Sequence, residues 1–137
     1  MEPVVIGNAG CTLAFSDPRF YGALPADYLS VAVSGPELSA SRQVSAGWEG
    51  GFTHLAVFFA DLADQWRGWK GERSFESIEG DLRILATHDG RVNLRVLLWE
   101  STVPDGWKVE AGVRLDAGEA LSNAATGVAL LVQARGD

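Results

Sequence analysis

The chain has 137 residues, 47% apolar and 21% charged, the size and balance of one ordinary globular domain. Eleven basic and 18 acidic residues leave a formal charge of −7, spread as −3 up to residue 50 (two basic, five acidic) and −4 after it (nine basic, 13 acidic). No basic lobe exists to neutralise phosphates, which argues against nucleic acid. No apolar run reaches the ~20 residues of a membrane span, and no secretory leader is visible. The single Cys11 excludes an internal disulfide and a cysteine-based zinc site, so a cytoplasmic location is expected.

Val4-Val5-Ile6 and Thr12-Leu13-Ala14-Phe15 flank Gly7-Asn8-Ala9-Gly10 and predict a hairpin. Ser16-Asp17-Pro18 carries turn chemistry, and the segment as far as Pro25 is expected to be loop. Tyr28 to Val33 alternates as a strand that Gly35-Pro36 breaks. Ser39 to Ala46 is a weaker strand, polar enough for a sheet edge.

Gly47-Trp48-Glu49-Gly50-Gly51 forms a joint. Beyond it Leu55, Phe58, Phe59, Leu62 and Trp66 fall on one helical stripe, with Thr53 as the expected N-cap and Gly68 as the stop. Of the two tryptophans at the exit, Trp66 is expected in the core and Trp69 over the helix–sheet seam. Phe75 to Ile78 starts or precedes a strand.

Residues 82 to 115 then alternate strictly as three strands. Leu82, Ile84 and Ala86 face one way, followed by Val92, Leu94, Val96 and Leu98, then Trp107, Val109, Ala111, Val113 and Leu115. Asp89-Gly90 and Pro104-Asp105-Gly106 supply the turns. Leu121, Ala125, Val128 and Val132 give a second helix, weakened by Gly127, before a frayed tail at Arg135-Gly136-Asp137. No segment repeats at a fixed period. The expectation is a single α+β domain over residues 1–137: a mainly antiparallel sheet, of hairpins plus a three-stranded meander, packed by two helices.

No catalytic constellation emerges, and neither a cofactor nor a metal is expected. His54 and His88, the only histidines, sit on different elements; His54 is read as a partly exposed first-turn residue and His88 as a solvated turn residue. Glu72, Glu76, Glu79 and Asp81 form an acidic run suited to ion pairing with Arg73 and Arg83, and less well to acid–base work in a hydrolase. No nucleophile elbow or phosphate loop is present. Arg83, Asn93, Arg95, Glu110 and Arg114 are expected on the outer sheet face, with Trp99 near its rim. The candidate protein-binding residues are therefore Trp69, Arg73, Arg83, Arg95, Trp99 and Arg114.

The run Phe59-Ala60-Asp61-Leu62-Ala63-Asp64-Gln65-Trp66-Arg67-Gly68-Trp69-Lys70-Gly71-Glu72-Arg73 resembles a group of small uncharacterised proteins, mainly actinobacterial. Ser77-Ile78-Glu79-Gly80-Asp81-Leu82 and Ala86-Thr87-His88-Asp89-Gly90 extend the likeness over roughly residues 50 to 121. It implies no active site. More loosely, the order of elements resembles immunity proteins of bacterial polymorphic toxin systems, which implies an interaction role.

The functional expectation is a non-enzymatic protein-binding domain, in its finer form an immunity-type inhibitor of a basic toxin domain. The alternatives are a small-ligand domain with a helix–sheet cleft walled by Trp48, Trp69 or Trp99, a carboxylate-dependent hydrolase, and a homodimer paired through a strand edge.

Overall fold

The computed structural model describes residues 2–7, 10–47 and 50–133. The expectations for Asn8, Ala9, Trp48 and the tail from Arg135 lie outside these residues. The architecture is α+β: two four-stranded antiparallel sheets and two helices. The first sheet runs β1 (Val4–Ile6), β2 (Thr12–Arg19), β3 (Tyr28–Gly35) and β4 (Leu38–Ser45), in that order across the sheet. Helix α1 (Thr53–Asp64) follows. The second sheet runs β5 (Arg73–Glu76), β6 (Leu82–His88), β7 (Arg91–Trp99) and β8 (Lys108–Asp116), again in chain order, and α2 (Glu119–Val132) closes the chain. Four strands in meander order and then a helix thus occur twice, a repetition of topology that no sequence period announces.

The expected meander gains β5 as a fourth strand, in register through Phe75 opposite Ile84. Alternation places the inner face correctly, for Leu82, Ile84, Ala86, Val92, Leu94, Val96 and Leu98 are all buried. Trp107 departs from the pattern at 40% exposure. Its carbonyl still accepts the Glu100 N–H at 2.8 Å within the hairpin, one residue before β8 begins, so it precedes the buried stretch of the strand.

The polar strand Leu38–Ser45 forms as an edge, paired only with β3. Strand β2, by contrast, runs on through Asp17-Pro18, where a loop was expected. A register shift between Ser16 and Arg19, with Asp17 at φ 47°, absorbs the irregularity as a bulge. Pairing with β1 has ended at Phe15, so the missing Pro18 N–H costs no ladder bond on that side.

Both helices and the inner faces of both sheets share one hydrophobic core. Helix α1 buries Leu55, Phe58, Phe59 and Leu62, the expected stripe, each such side chain contributing about 1.5–3 kcal/mol. Phe59 meets Phe15 of the first sheet edge-on at 6.2 Å, and Phe58 lies 6.0 Å from Phe75 of the second. The helices pack on each other, and α2 also lies against β1, β2 and β8.

Thr53 is not the cap. It is already helical, and Phe52 holds the cap position with no side-chain bond. Phe52 is fully buried and donates its N–H to Ala26 O at 2.7 Å, so docking of the ring sets the helix start. The preceding Gly51 has φ +56°, and a Cβ there would press on the carbonyls of Pro25 and Ala26, which reserves the position for glycine.

The helix ends at Asp64 rather than at Gly68, and the chain unwinds before Trp66 can join the stripe. Trp66 is therefore 48% exposed, under the Arg67 guanidinium at 5.1 Å, and the expectation of a core position is corrected. Trp69 is buried at the seam, and its indole N–H donates to Ala86 O at 3.3 Å.

Candidate functional site

The outer face of the second sheet carries the most chemistry among the described residues. Cross-strand register sets Glu76, Arg83, Leu97 and Glu110 in one row, and Ser74, Leu85, Arg95 and Gly112 in the next. Thr87, Asn93 and Arg114 form a third row, and Trp99 pairs with Lys108 at one end. Arg83, Arg95, Trp99 and Arg114 thus share the face that alternation assigns them. Two further candidates do not join it. Trp69 is buried at the seam, and Arg73 lies in register with inward-facing Ala86 at the sheet edge, bound to Gln65 Oε1 at 2.6 Å.

Three arginines are occupied by neighbouring carboxylates: Arg83 by Glu76 at 3.7 Å, Arg91 by Asp116 at 3.5 Å and Arg114 by Asp89 at 3.6 Å. All three pairs are exposed and individually weak. Arg95 and Lys108 have no ion-pair partner among the described residues. The Arg91 N–H, followed by the Asn93 side chain and the Arg114 charge, holds the Asp89 carboxyl below its ordinary range.

A groove of about 590 Å³ opens beside Trp99, bounded by Glu76, Glu79, Arg83, Lys108 and Glu110 with Leu97 on its floor. The Lys108 ammonium sits 4.3 Å from the centre of the Trp99 ring, a cation–π contact. The buried Trp99 indole N–H has no hydrogen-bond partner among the described residues. A smaller hollow, about 340 Å³, lies beside Arg95 over Gly112.

Behind Trp99 lies a buried polar node absent from the sequence reading. Asp81 is fully buried, accepts a 2.5 Å bond from Ser77 Oγ, and meets Arg42 Nε of β4 at 3.0 Å. The Arg42 N–H does not point along the line to that oxygen, so the contact is an ion pair more than a straight hydrogen bond. Arg42 also reaches Glu100 at 3.1 Å and donates to the Trp99 carbonyl at 3.2 Å, while the Trp99 N–H donates to Asp81 O at 2.9 Å. The two sheets are thereby joined at the base of the Trp99 wall. Bonds from the Thr102 hydroxyl and N–H, then Arg42, lower the Glu100 pKa. The only signal for Arg42 in the sequence is its place two residues before Val44, on the inward side of β4.

The acidic run is consequently divided. Asp81 belongs to the node, Glu76 and Glu79 rim the groove, and Glu72 lines the smaller hollow. The helix–sheet interior holds Trp69, and Trp99 lies on the opposite face of the sheet, so the two do not wall one cleft.

The histidines stand apart. His88 is no solvated turn residue: its Nε2–H donates to Trp66 O at 2.7 Å, its Nδ1 accepts from the Gly90 N–H at 3.1 Å, and its ring abuts Trp69 at 5.1 Å. It ties the tryptophan corner to the β6–β7 hairpin. His54 donates through Nδ1 to Gly51 O at 3.0 Å and lies 4.8 Å from the Phe75 ring; burial depresses its pKa. Among the described residues no group of three or more His, Cys, Asp and Glu is placed to hold a metal ion. No helix among them is long and apolar enough to cross a membrane.

No curated protein and no solved structure matches the chain. One family model does match, over residues 4–135, nearly the whole chain. The chain therefore belongs to a family of unknown function, DUF6228.

Proposed function

We propose that this chain is a protein-binding domain that meets its partner with the outer face of the second sheet. The observation that carries the reading is the groove beside Trp99, set in a face where Arg95 and Lys108 are free of ion pairs among the described residues. Tryptophan and arginine are the residues that interfaces concentrate, and a tryptophan whose backbone is held from behind loses less freedom on meeting a partner. The finer form of the proposal is an immunity-type inhibitor acting on a basic toxin domain. The net charge of −7 supports it, since such a charge steers a basic partner inward.

Co-expression with the product of each adjacent locus, followed by co-purification, tests both levels. A stable complex that is lost in Arg95→Glu and Trp99→Ala supports the face. No complex with any adjacent product removes the immunity reading, and a complex indifferent to both substitutions removes the face.

A second reading rests on the same groove, whose 590 Å³ falls within the usual span of small-molecule sites. A small-molecule screen by thermal shift separates the two. A compound that stabilises the wild type and not Trp99→Ala favours a ligand site.

A further inference from the structure

We infer that the groove beside Trp99 is a socket for one cationic side chain, a guanidinium or ammonium group presented by a basic protein partner. The inference rests on the protein-binding reading and adds the chemistry the groove selects.

The π face of Trp99 already carries a cation, the Lys108 ammonium at 4.3 Å. That contact shows the ring accessible from the groove and oriented to receive positive charge. Around it stand Glu76, Glu79 and Glu110, against Arg83 and Lys108, so the lining carries three negative charges to two positive. Arg83 is engaged by Glu76 at 3.7 Å, and Lys108 is engaged by the ring. Glu79 and Glu110 are exposed and have no ion-pair partner among the described residues. An acidic side chain entering here meets two unneutralised carboxylates; a basic one meets two partners and an aromatic wall.

Leu97 offers an apolar floor to the aliphatic stem of an arginine or lysine. The wall is preorganised, because the Trp99 backbone is fixed on both sides by Asp81 and Arg42. The incoming cation displaces Lys108 from the ring. Lys108 is itself exposed and returns to water at little cost.

The test uses N-acetyl-arginine amide as probe on the full-length ¹⁵N-labelled protein. The readout is the Trp99 indole N–H resonance, assigned by its absence in Trp99→Phe. A saturable shift at millimolar probe is expected. Lys108→Met removes the internal competitor and should tighten binding about two- to fivefold, the range of an exposed cation–π contact. Glu79→Gln with Glu110→Gln should weaken it by a similar factor, and N-acetyl-glutamate amide should produce no saturable shift. The inference is overturned if the arginine probe gives no saturable shift, if the glutamate probe matches it, or if the double glutamine variant binds equally well. If the arginine probe fails while Arg95→Glu still abolishes partner capture, the socket is wrong and the face stands. If the probe binds as described while no partner is captured through this face, the protein-binding reading falls and the cation site remains.

Discussion

Removing the Asp81 carboxylate leaves Arg42 stranded. The Arg42 side chain is only 12% exposed and Asp81 is fully buried, so their 3.0 Å contact lies largely out of water. Taking one partner from a buried pair costs about 3–5 kcal/mol, because the remaining charge keeps its desolvation penalty. Here Glu100 at 3.1 Å softens the loss for Arg42, which places Asp81→Ala near the lower figure, about 3 kcal/mol. Against a total stability of roughly 5–15 kcal/mol, that is a large fraction. Arg42→Leu combined with Asp81→Leu removes both desolvation penalties and should recover about 2 kcal/mol relative to the sum of the single variants. Glu76→Ala, which breaks the exposed pair with Arg83, should change stability by less than about 0.5 kcal/mol. Urea unfolding at constant slope measures each of these variants, the two leucine single variants included. An Asp81→Ala loss below about 1 kcal/mol, or strict additivity in the double variant, would refute the assignment of the node as a buried, charge-coupled junction between the sheets.

The two tryptophans of the corner should separate cleanly: Trp69→Ala costs about 3–5 kcal/mol by chemical unfolding, and Trp66→Ala about 0.5 kcal/mol, since only the first is buried and bonded to Ala86 O. Gly127→Ala should be close to neutral alone, because about 1 kcal/mol of helix propensity is set against a Cβ only 3.2 Å from Val4 Cγ1; in a Val4→Ala background it should stabilise by about that amount, and equal effects in the two backgrounds would contradict the contact. His54 is held below its ordinary pKa of 6.5 by burial, so the unfolded chain binds its proton first and stability falls as pH drops through about 6.5 toward the folded value. A His54→Asn variant should flatten the midpoint-against-pH profile between about pH 5 and 7, and an unchanged slope would assign the acid sensitivity elsewhere. The lowered pKa of Asp89 acts in a different window, with a contribution present above its ordinary value of 3.8 and lost as pH falls through the folded value.

Alternation and helical spacing determine much of this protein. The inward faces of β6 and β7, most of that of β8, the α1 stripe and the α2 stripe are all legible, because each is a local period that one buried face enforces. The gathering of Arg83, Arg95, Trp99 and Arg114 follows from the same alternation. What lies beyond a local period comes only from tertiary structure. Trp66 is left out of the core because α1 ends at Asp64, a stop that Gly68 does not reveal, while Trp69 keeps its place at the seam. Phe52 sets the helix start through its burial and its bond to Ala26 O on a distant loop, which no capping rule encodes. Arg42 and Asp81 are 39 positions apart (81 minus 42) and look like surface charges until the sheets meet and exclude water from both. The groove is likewise a product of β5, β6, β7 and β8 lying side by side. A sequence carries the tendencies of neighbours along the chain; which distant side chains end up sharing a dry space is decided only when the faces close on one another.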